Sequence, residues 1–561
     1  MLSPADVRAL VEIHDRYFDD IRDDLRSYKA LYMTRFWKNR ETRTMDGVLR
    51  TEVSKAYKVV ESYIGSLYSK NPAVRVEPDL RDRGNPAIAQ ASANQYLLGI
   101  REQIEGATRL ALIYPCSFLK LSPVENVDPL KRVACSALPP WEVIVDATAG
   151  AWDQQRCVGH VFLMPLSEAV GRYSKPREQF RSRVYSKWIE SGTSLGSDQL
   201  QPDNLQTPDS DQWIRVVEVY DLLDDKLLVW SADYANGDEF LFTGVTVQVG
   251  ALPDEAGAGE EAPPPELVHE TTGIPYKSAS GRPVVPIIPV FFSRDPDTPL
   301  RGYSLIARSV DQFRELNVMR TYQAQGCRRM ARQWMVRAGF FSDDAASKVA
   351  QGIDGEMIEI DLQPGMPLEG NIMPVPQQSI PADILEYGVQ IEADINDAGV
   401  LAPFTRGEAT GTTATEQQLL ASYTSSEIGR MARIRDAVIT ETAQTYNIML
   451  AVILGDDAEP LALPNPIGPT ILSADDLTGD FSYWADDAGT TPMSDFTKQQ
   501  SLERLAPILV QLGADPALIL KEMVRTFQLP ADLAKVLAPA PTGASPTEPG
   551  LAPAGLPEGA L

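Results

Sequence analysis

Cysteine and histidine are scarce in this chain. The four cysteines (Cys116, Cys135, Cys157, Cys327) are scattered without a CxxC pair, and the three histidines (His14, His160, His269) fall in no HExxH or Cys/His pattern. That poverty argues against a zinc site and reads as buried free thiols in a reducing compartment. Long hydrophobic runs are missing as well: no stretch approaches the ~18 apolar residues of a membrane span. The start, MLSPADVRALVEIHD, is acidic and amphipathic, unlike a signal or transit peptide. There is no GxGxxG fingerprint and no GxSxG elbow. The Gly/Thr-rich GEATGTTATE (407–416) lacks the lysine of a phosphate-binding loop and follows no apolar strand, so it reads as a loop leading into a helix cap. Neither a cofactor nor a metal is expected.

Basic residues are also in deficit, with 51 Lys and Arg against 77 Asp and Glu, a formal charge of −26. Proteins that grip nucleic acid neutralise phosphates with basic surfaces, so this balance argues against tight, general DNA binding. It is compatible with a surface past which DNA slides without sticking. At 561 residues, 43% of them hydrophobic, the chain can bury a large core and divide into several domains.

The fold class read from the pattern is α+β. Ser3-Pro4 marks a helix start and the pattern runs to about Ala30. A second helix spans about Arg50 to Lys70, and PAVRVEP (72–78) is a short strand. Asn85 opens a long helix ending near Pro115. SFLKLSPV and KRVACSAL read as paired strands, PPWEVIVDATAG as a strand closing on Asp146, and Val158–Leu163 as another before a short helix from Ser167. WIRVVEVYDLLDDKLLVWSADYANGDEFLFTGVTVQVG reads as a meander of three or four strands turned at Asp224-Asp225 and Asn236-Gly237. Gly192–Ser210 is expected to be a surface loop and Ala251–Pro265 a mobile acidic tract. PVVPIIPVFF suits an edge strand, being broken by prolines. Trp141, Trp213, Trp230 and Trp484 are expected in the core.

The chain is organised around Leu305–Gln325. Leu305, Ile306, Val310, Phe313 and Leu316 fall on one side of a helical wheel, and Arg308, Asp311, Gln312, Arg314 and Glu315 on the other. Ser304 reads as its N-cap and Gly326 as its stop. From Arg301 to Phe340 eight arginines stand against two carboxylates, net +6 in an acidic protein. The band is either a solvated or inter-subunit helix face or a placed contact surface, carried by Arg328, Arg329, Arg332 and Arg337. After a turn-rich lobe (341–378), Pro381–Gly399 is a second helix with Ile384, Leu385, Val389, Ile391 and Ile395 apolar. Thr413-Ala-Thr-Glu416 has capping-box spacing, and a helical pattern of some forty residues follows to Leu454, with a kink expected across Thr424–Ser426 and Gly429. FSYWADD is a strand. The aspartates Asp475, Asp476, Asp480, Asp486, Asp487 and Asp495 suit turns and caps far more often than a divalent cation. A helix pair and a Pro/Ala/Gly-rich tail, expected to be disordered, complete the chain.

An α+β body, a long helix, a small lobe, a second helix, a Thr-rich loop and a very long kinked helix follow in that order. With PLRGYSLIARSVDQFRELN at the first stalk helix and TTATEQQLLASYTSSEIGRMARI at the long one, the layout resembles the portal (head-to-tail connector) proteins of tailed bacteriophages over about Pro4 to Leu537. The motifs are short, and their conjunction in order carries the resemblance. It implies a non-enzymatic homo-oligomeric ring, a dodecamer, at one capsid vertex of the virion, made in the bacterial cytoplasm and not in a membrane. Its partners would be the terminase large subunit, the major capsid and scaffolding proteins, neck and tail adaptor proteins, and double-stranded DNA passing through without tight binding. By position, 1–300 would be wing, 301–329 the first stem helix, 330–380 the clip, 381–400 the second stem helix, 401–492 the wing return with the channel helix, 493–537 the crown and 538–561 the tail. Tyr423, Thr424, Ser425, Ser426, Arg430 and Arg433 would face the channel at its bend, which has no long inserted loop. The alternatives are another virion structural protein, such as a capsid or tail adaptor, and a soluble metal-dependent hydrolase using the C-terminal aspartates.

Overall fold

The computed structural model describes residues 2–37, 50–68, 71–78, 84–146, 148–181, 213–243, 245–246, 269–270, 273–278, 280–295, 301–332, 334–336, 372–374, 382–398, 414–455, 459–462, 469–477, 479 and 481–485. Helix α1 (Pro4–Asp20) begins at Ser3, whose hydroxyl accepts from the Asp6 amide while the Asp6 carboxylate takes the Ser3 amide, a reciprocal cap. The helix expected to reach Ala30 breaks at Ile21, and α2 (Arg22–Tyr32) continues in a new direction. The same occurs at Ile100, which separates α4 (Pro86–Gly99) from α5 (Arg101–Ile113). No Gly or Pro flanks Ile21, but Gly99 directly precedes Ile100 and weakens the helix at that break. Ile100 turns inward and Arg101 donates to the Tyr68 carbonyl at the end of α3 (Lys55–Leu67), so packing there adds to the effect of the glycine.

Helix α3 starts five residues later than its pattern suggests. Thr51 and Val53 instead donate their amides to Thr321 Oγ1 (3.0 Å) and Asn317 Oδ1 (2.8 Å) of the later helix α7 (Val310–Arg332). Strand β1 (Val74–Pro78) pairs antiparallel with β16 (Phe481–Ala485), so the first strand is completed by one of the last. Strands β2 (Ser117–Pro123) and β3 (Val133–Leu138) pair as expected, and β11 (Ile287–Val290) lies at the edge beside β2, where the prolines of PVVPIIPVFF cost least.

The meander is a five-stranded antiparallel sheet ordered β4 (Val143–Val145), β5 (Cys157–Pro165), β6 (Trp213–Asp221), β7 (Lys226–Trp230), β8 (Phe240–Thr243), and a short antiparallel pair, β9 (Val245–Thr246) with β10 (His269–Glu270), follows it in the chain. Alternation along β6 sends Ile214 and Val216 to one face, under α6 (Leu166–Tyr173), and Val217 and Val219 to the other, under Val7 and Val11 of α1. Its turns are the expected ones, with Asp225 and Asn236 in left-handed backbone. The two sheets are joined by Lys120 of β2, which pairs with Glu218 of β6 and donates to His160 Nδ1 of β5 at 2.9 Å. Of the four tryptophans, Trp230 is buried and Trp141 packs on the core, but Trp484 is 60% exposed on the outer face of β16.

Chain 301–455 returns to the same body. After a 3₁₀ turn (Ile306–Ser309), α7 runs to Arg332. Gly326 does not stop it, because a glycine inside an otherwise helical run costs only about 1 kcal/mol. Strands β12 (Trp334–Val336) and β13 (Ile372–Pro374) pair antiparallel, and α8 (Ala382–Ala398) returns against α7. Helix α9 (Ala414–Leu454) runs over 41 residues and continues through 424–429, where the kink is expected. Its Ile428–Leu454 part is apolar and long enough, by composition, to cross a membrane, which the reading of hydrophobic runs missed. Much of that surface is covered within the body: Met431, Ala443, Tyr446, Met449 and Leu450 lie in the main core with Tyr96, Leu112 and Phe118. Strands β14 (Glu459–Ala462) and β15 (Pro469–Leu472) form a hairpin, and Asp476 caps the short helix Ala474–Leu477 by accepting from the Ser473 amide. The loops expected at 192–210 and 251–265, the cap at Thr413, the helices expected after Met493 and the tail lie outside the described residues.

Two predictions follow from the packing. Gly302 holds φ +67°, and a Cβ there would sit 2.0 Å from the Pro115 carbonyl oxygen. Gly302→Ala should cost about 2–4 kcal/mol, from backbone strain plus the forced separation, and Ser304→Ala about 1–3 kcal/mol. Chemical denaturation would show whether Gly302→Ala is harmless, which the geometry forbids. His14 is buried, its Nε2–H donates to the Trp141 carbonyl (3.0 Å), and burial pushes its pKa down to about 4. Its unfolded value is near 6.5, so the unfolded chain takes a proton in that window that the folded chain refuses. The contribution is whole above about pH 6.5 and is lost as pH falls toward 4, at up to ~1.4 kcal/mol per pH unit. Stability measured from pH 7 to 4.5 should therefore fall less steeply, by about one proton, in His14→Gln.

Candidate functional site

The two regions singled out by sequence are the arginine band and the bend of α9. The band begins as internal structure. Arg301 stacks its guanidinium 3.4 Å over the Tyr17 ring, and burial holds its pKa below the usual arginine value. Arg308 donates to Ser293 Oγ (2.7 Å), Arg314 to Ser27 Oγ (2.8 Å), and Arg320 pairs with Glu392 of α8. Arginine suits such posts because its planar fork reaches several acceptors at once. Arg328, Arg329 and Arg332 lie on the last turns of α7, with side chains outside the described residues, and Arg337 lies wholly outside them.

The entry to α7 is built by backbone. Ser304 Oγ donates to the Ile113 carbonyl (2.6 Å) and accepts from the Ile306 amide (3.1 Å), while the Leu305 amide donates to the Leu112 carbonyl (3.1 Å). The last carbonyls of α5, which have no helical partner, are thus satisfied by the start of α7. Ser304 is the expected cap, but its second duty, to the end of α5, could not be read locally.

Helices α7 and α8 run antiparallel. Arg320 is level with Glu392, and Gln323 with Gly388, where a Cβ would lie 3.0 Å from the Gln323 side-chain nitrogen. Ile391 and Ile395 are buried, as the apolar pattern of α8 predicts, but Ile384, Leu385 and Val389 are 38%, 48% and 68% exposed. Strand pair β12/β13 connects the two helices, with Val336 opposite Ile372.

Along residues 423–433 of α9 the structure separates the expected residues. Tyr423, Thr424, Ser425 and Ser426 continue the helix, with side chains outside the described residues. Arg430 is half-buried and donates to the Phe292 carbonyl (2.7 Å) just beyond β11. Arg433 is exposed and makes a long contact to the Gly429 carbonyl within its own helix (3.4 Å). Sequence reasoning missed Arg435, which is buried, donates to the Leu67 carbonyl at the end of α3 and pairs with Asp436. No local signal distinguishes it from Arg433, since only the neighbouring helix decides which arginine is covered.

The polar groups described here join α7 to α5, α9 to the run after β11, and α9 to α3. A cleft of about 330 Å³ between α9 and β16 is lined mainly by Ile448, Val452, Leu477, Phe481 and Tyr483, and its charged member, Lys277, pairs with Asp225 at 2.9 Å. Among the described residues no three His, Cys, Asp or Glu side chains converge as a metal site. Arg430→Ala should cost about 1–3 kcal/mol by stranding the Phe292 carbonyl, whereas Arg433→Ala should stay within about 0.5 kcal/mol of the parent. Equal effects in thermal melts would contradict the assignment of Arg430 as a joint and Arg433 as free surface. Compared with known proteins, the chain matches no family model and no curated protein.

Proposed function

We propose that this chain is the subunit of a phage portal, a ring at one capsid vertex that passes the genome and docks the packaging and tail machinery. The observation that carries the reading is the antiparallel α7–α8 pair, joined through β12/β13 and rooted in an α+β body at Gly302–Leu305. In a portal, α7 and α8 serve as the stem, the residues between them as the clip, and α9 as the helix beside the channel. The acidic chain favours this role over a DNA clamp, because a channel lined mainly by like charge lets the phosphate backbone slide. Arg433, exposed on α9, supplies the kind of isolated cation that a passing backbone meets transiently.

Arg328, Arg329 and Arg332 stand where the stem reaches the clip, and terminase or a neighbouring subunit is their expected partner. The purified full-length chain should assemble into closed rings of twelve with an axial channel wide enough for duplex DNA, seen by mass measurement and negative-stain imaging. A strictly monomeric chain at high concentration, and in extracts of cells assembling the particle, would overturn the proposal.

A further inference from the structure

The two-stranded ribbon of β1 and β16 has one closed edge and one open edge. Along β1 the Val74 amide donates to Asn94 Oδ1 of α4 (2.7 Å) and the Val76 amide to Gln90 Oε1 (3.1 Å), while Asn94 Nδ2 donates to the Val74 carbonyl (3.1 Å). Two side chains of α4 thus occupy the edge that another strand would otherwise use. Val74 and Val76 turn their backbone groups away from β16, so their partners across the ribbon, Ala485 and Tyr483, turn theirs away from β1. Among the described residues nothing meets the backbone amides and carbonyls of Tyr483 and Ala485.

Beside that edge lies a groove. Phe481 and Tyr483 of β16 line the cleft of about 330 Å³ together with Ile448, Ala451 and Val452 of α9. Small-molecule pockets run from roughly 300 to 1,000 Å³, so this one is small for a cofactor and suits apolar side chains carried in on a backbone. On the outer face of the ribbon Trp484 is 60% exposed opposite Arg75, and both are residue types that dominate the energetics of interfaces.

Charge narrows the occupant. Lys277, the cation of the cleft, is already paired with Asp225. Glu441 continues the cleft-lining stripe of α9 one turn before Gln444, exposed and with no ion pair among the described residues. The free charge beside the groove is therefore negative, and it calls for a basic residue rather than a second copy of a chain that carries −26. We propose that β16 takes an extended segment of a partner protein as a third strand. Its backbone pairs with Tyr483 and Ala485, its alternate apolar side chains enter the cleft over α9, and a lysine or arginine meets Glu441. This site stands independently of the portal reading.

The test uses the purified full-length chain and a panel of fluorescein-labelled synthetic peptides. These alternate threonine with valine, leucine or phenylalanine and carry one lysine. Fluorescence anisotropy should show saturable binding within the panel, and hydrogen exchange over residues 481–485 should slow in the complex. N-methylation of one alternate set of peptide amides should abolish binding and of the other set should spare it, because only one set can face β16. Glu441→Lys should weaken the lysine peptide by about tenfold and bind the same peptide better when glutamate replaces its lysine, which also shows the variant is folded. Gln444→Trp, which fills the groove from an exposed position, should abolish binding. A panel without a binder, affinity unchanged in either variant, or binding that survives N-methylation of both sets would overturn the proposal. Multimers that form without peptide and dissolve in Gln444→Trp would give this edge to a second copy of the chain and overturn it too.

Discussion

The joint between the end of α5 and the start of α7 is the constraint on which the rest depends. A helix end leaves carbonyls without partners, and burying them unmet costs about 1–3 kcal/mol each. Here Leu112 and Ile113 are met by Leu305 and Ser304, from a segment some 190 residues later. The chain can come that close only because Gly302, in left-handed backbone, presents no side chain to the Pro115 carbonyl. The direction in which α7 leaves the body is thus set by backbone contact, which adapts far less than side chains do.

Around that joint other segments converge. Tyr303 donates its amide to the Ser293 carbonyl, Arg308 reaches the Ser293 hydroxyl, and Arg430 of α9 takes the neighbouring Phe292 carbonyl. The short run after β11 therefore connects the entry to α7 with the long helix α9. On its other side α9 reaches the N-terminal helices: Asn447 bonds the Ala89 carbonyl, Ser92 and Tyr483, and Arg435 takes the last carbonyl of α3. For the proposed portal this matters, because force on the stem would pass to the channel helix through hydrogen bonds as well as through the apolar core the two helices share.

Charge is divided by the same architecture. An arginine-rich run in an acidic protein invites a single functional reading, yet its first members are spent on internal contacts with Tyr17, Ser293, Ser27 and Glu392. The side chains of Arg328, Arg329 and Arg332, later in the same run, lie outside the described residues. On α9, Arg433 and Arg435 look identical in composition, and burial alone separates them.

What the sequence by itself determined is what local physics determines. The Ser3 and Ser304 caps, the Asp225 and Asn236 turns, the alternation of β6 and the proline-marked edge strand each follow from a few adjacent residues. So does the second apolar-patterned helix, α8, that follows α7. What only the tertiary structure decided depends on partners hundreds of residues away. The break at Ile21, the late start of α3 under Asn317 and Thr321, the pairing of β1 with β16 and the exposure of Trp484 have no local signature. At the candidate site, the list of arginines was legible, but their division into joints and free surface was not. A guanidinium acquires its role from whichever carbonyl or carboxylate the fold brings within reach, and that is a property of packing rather than of the chain's own period.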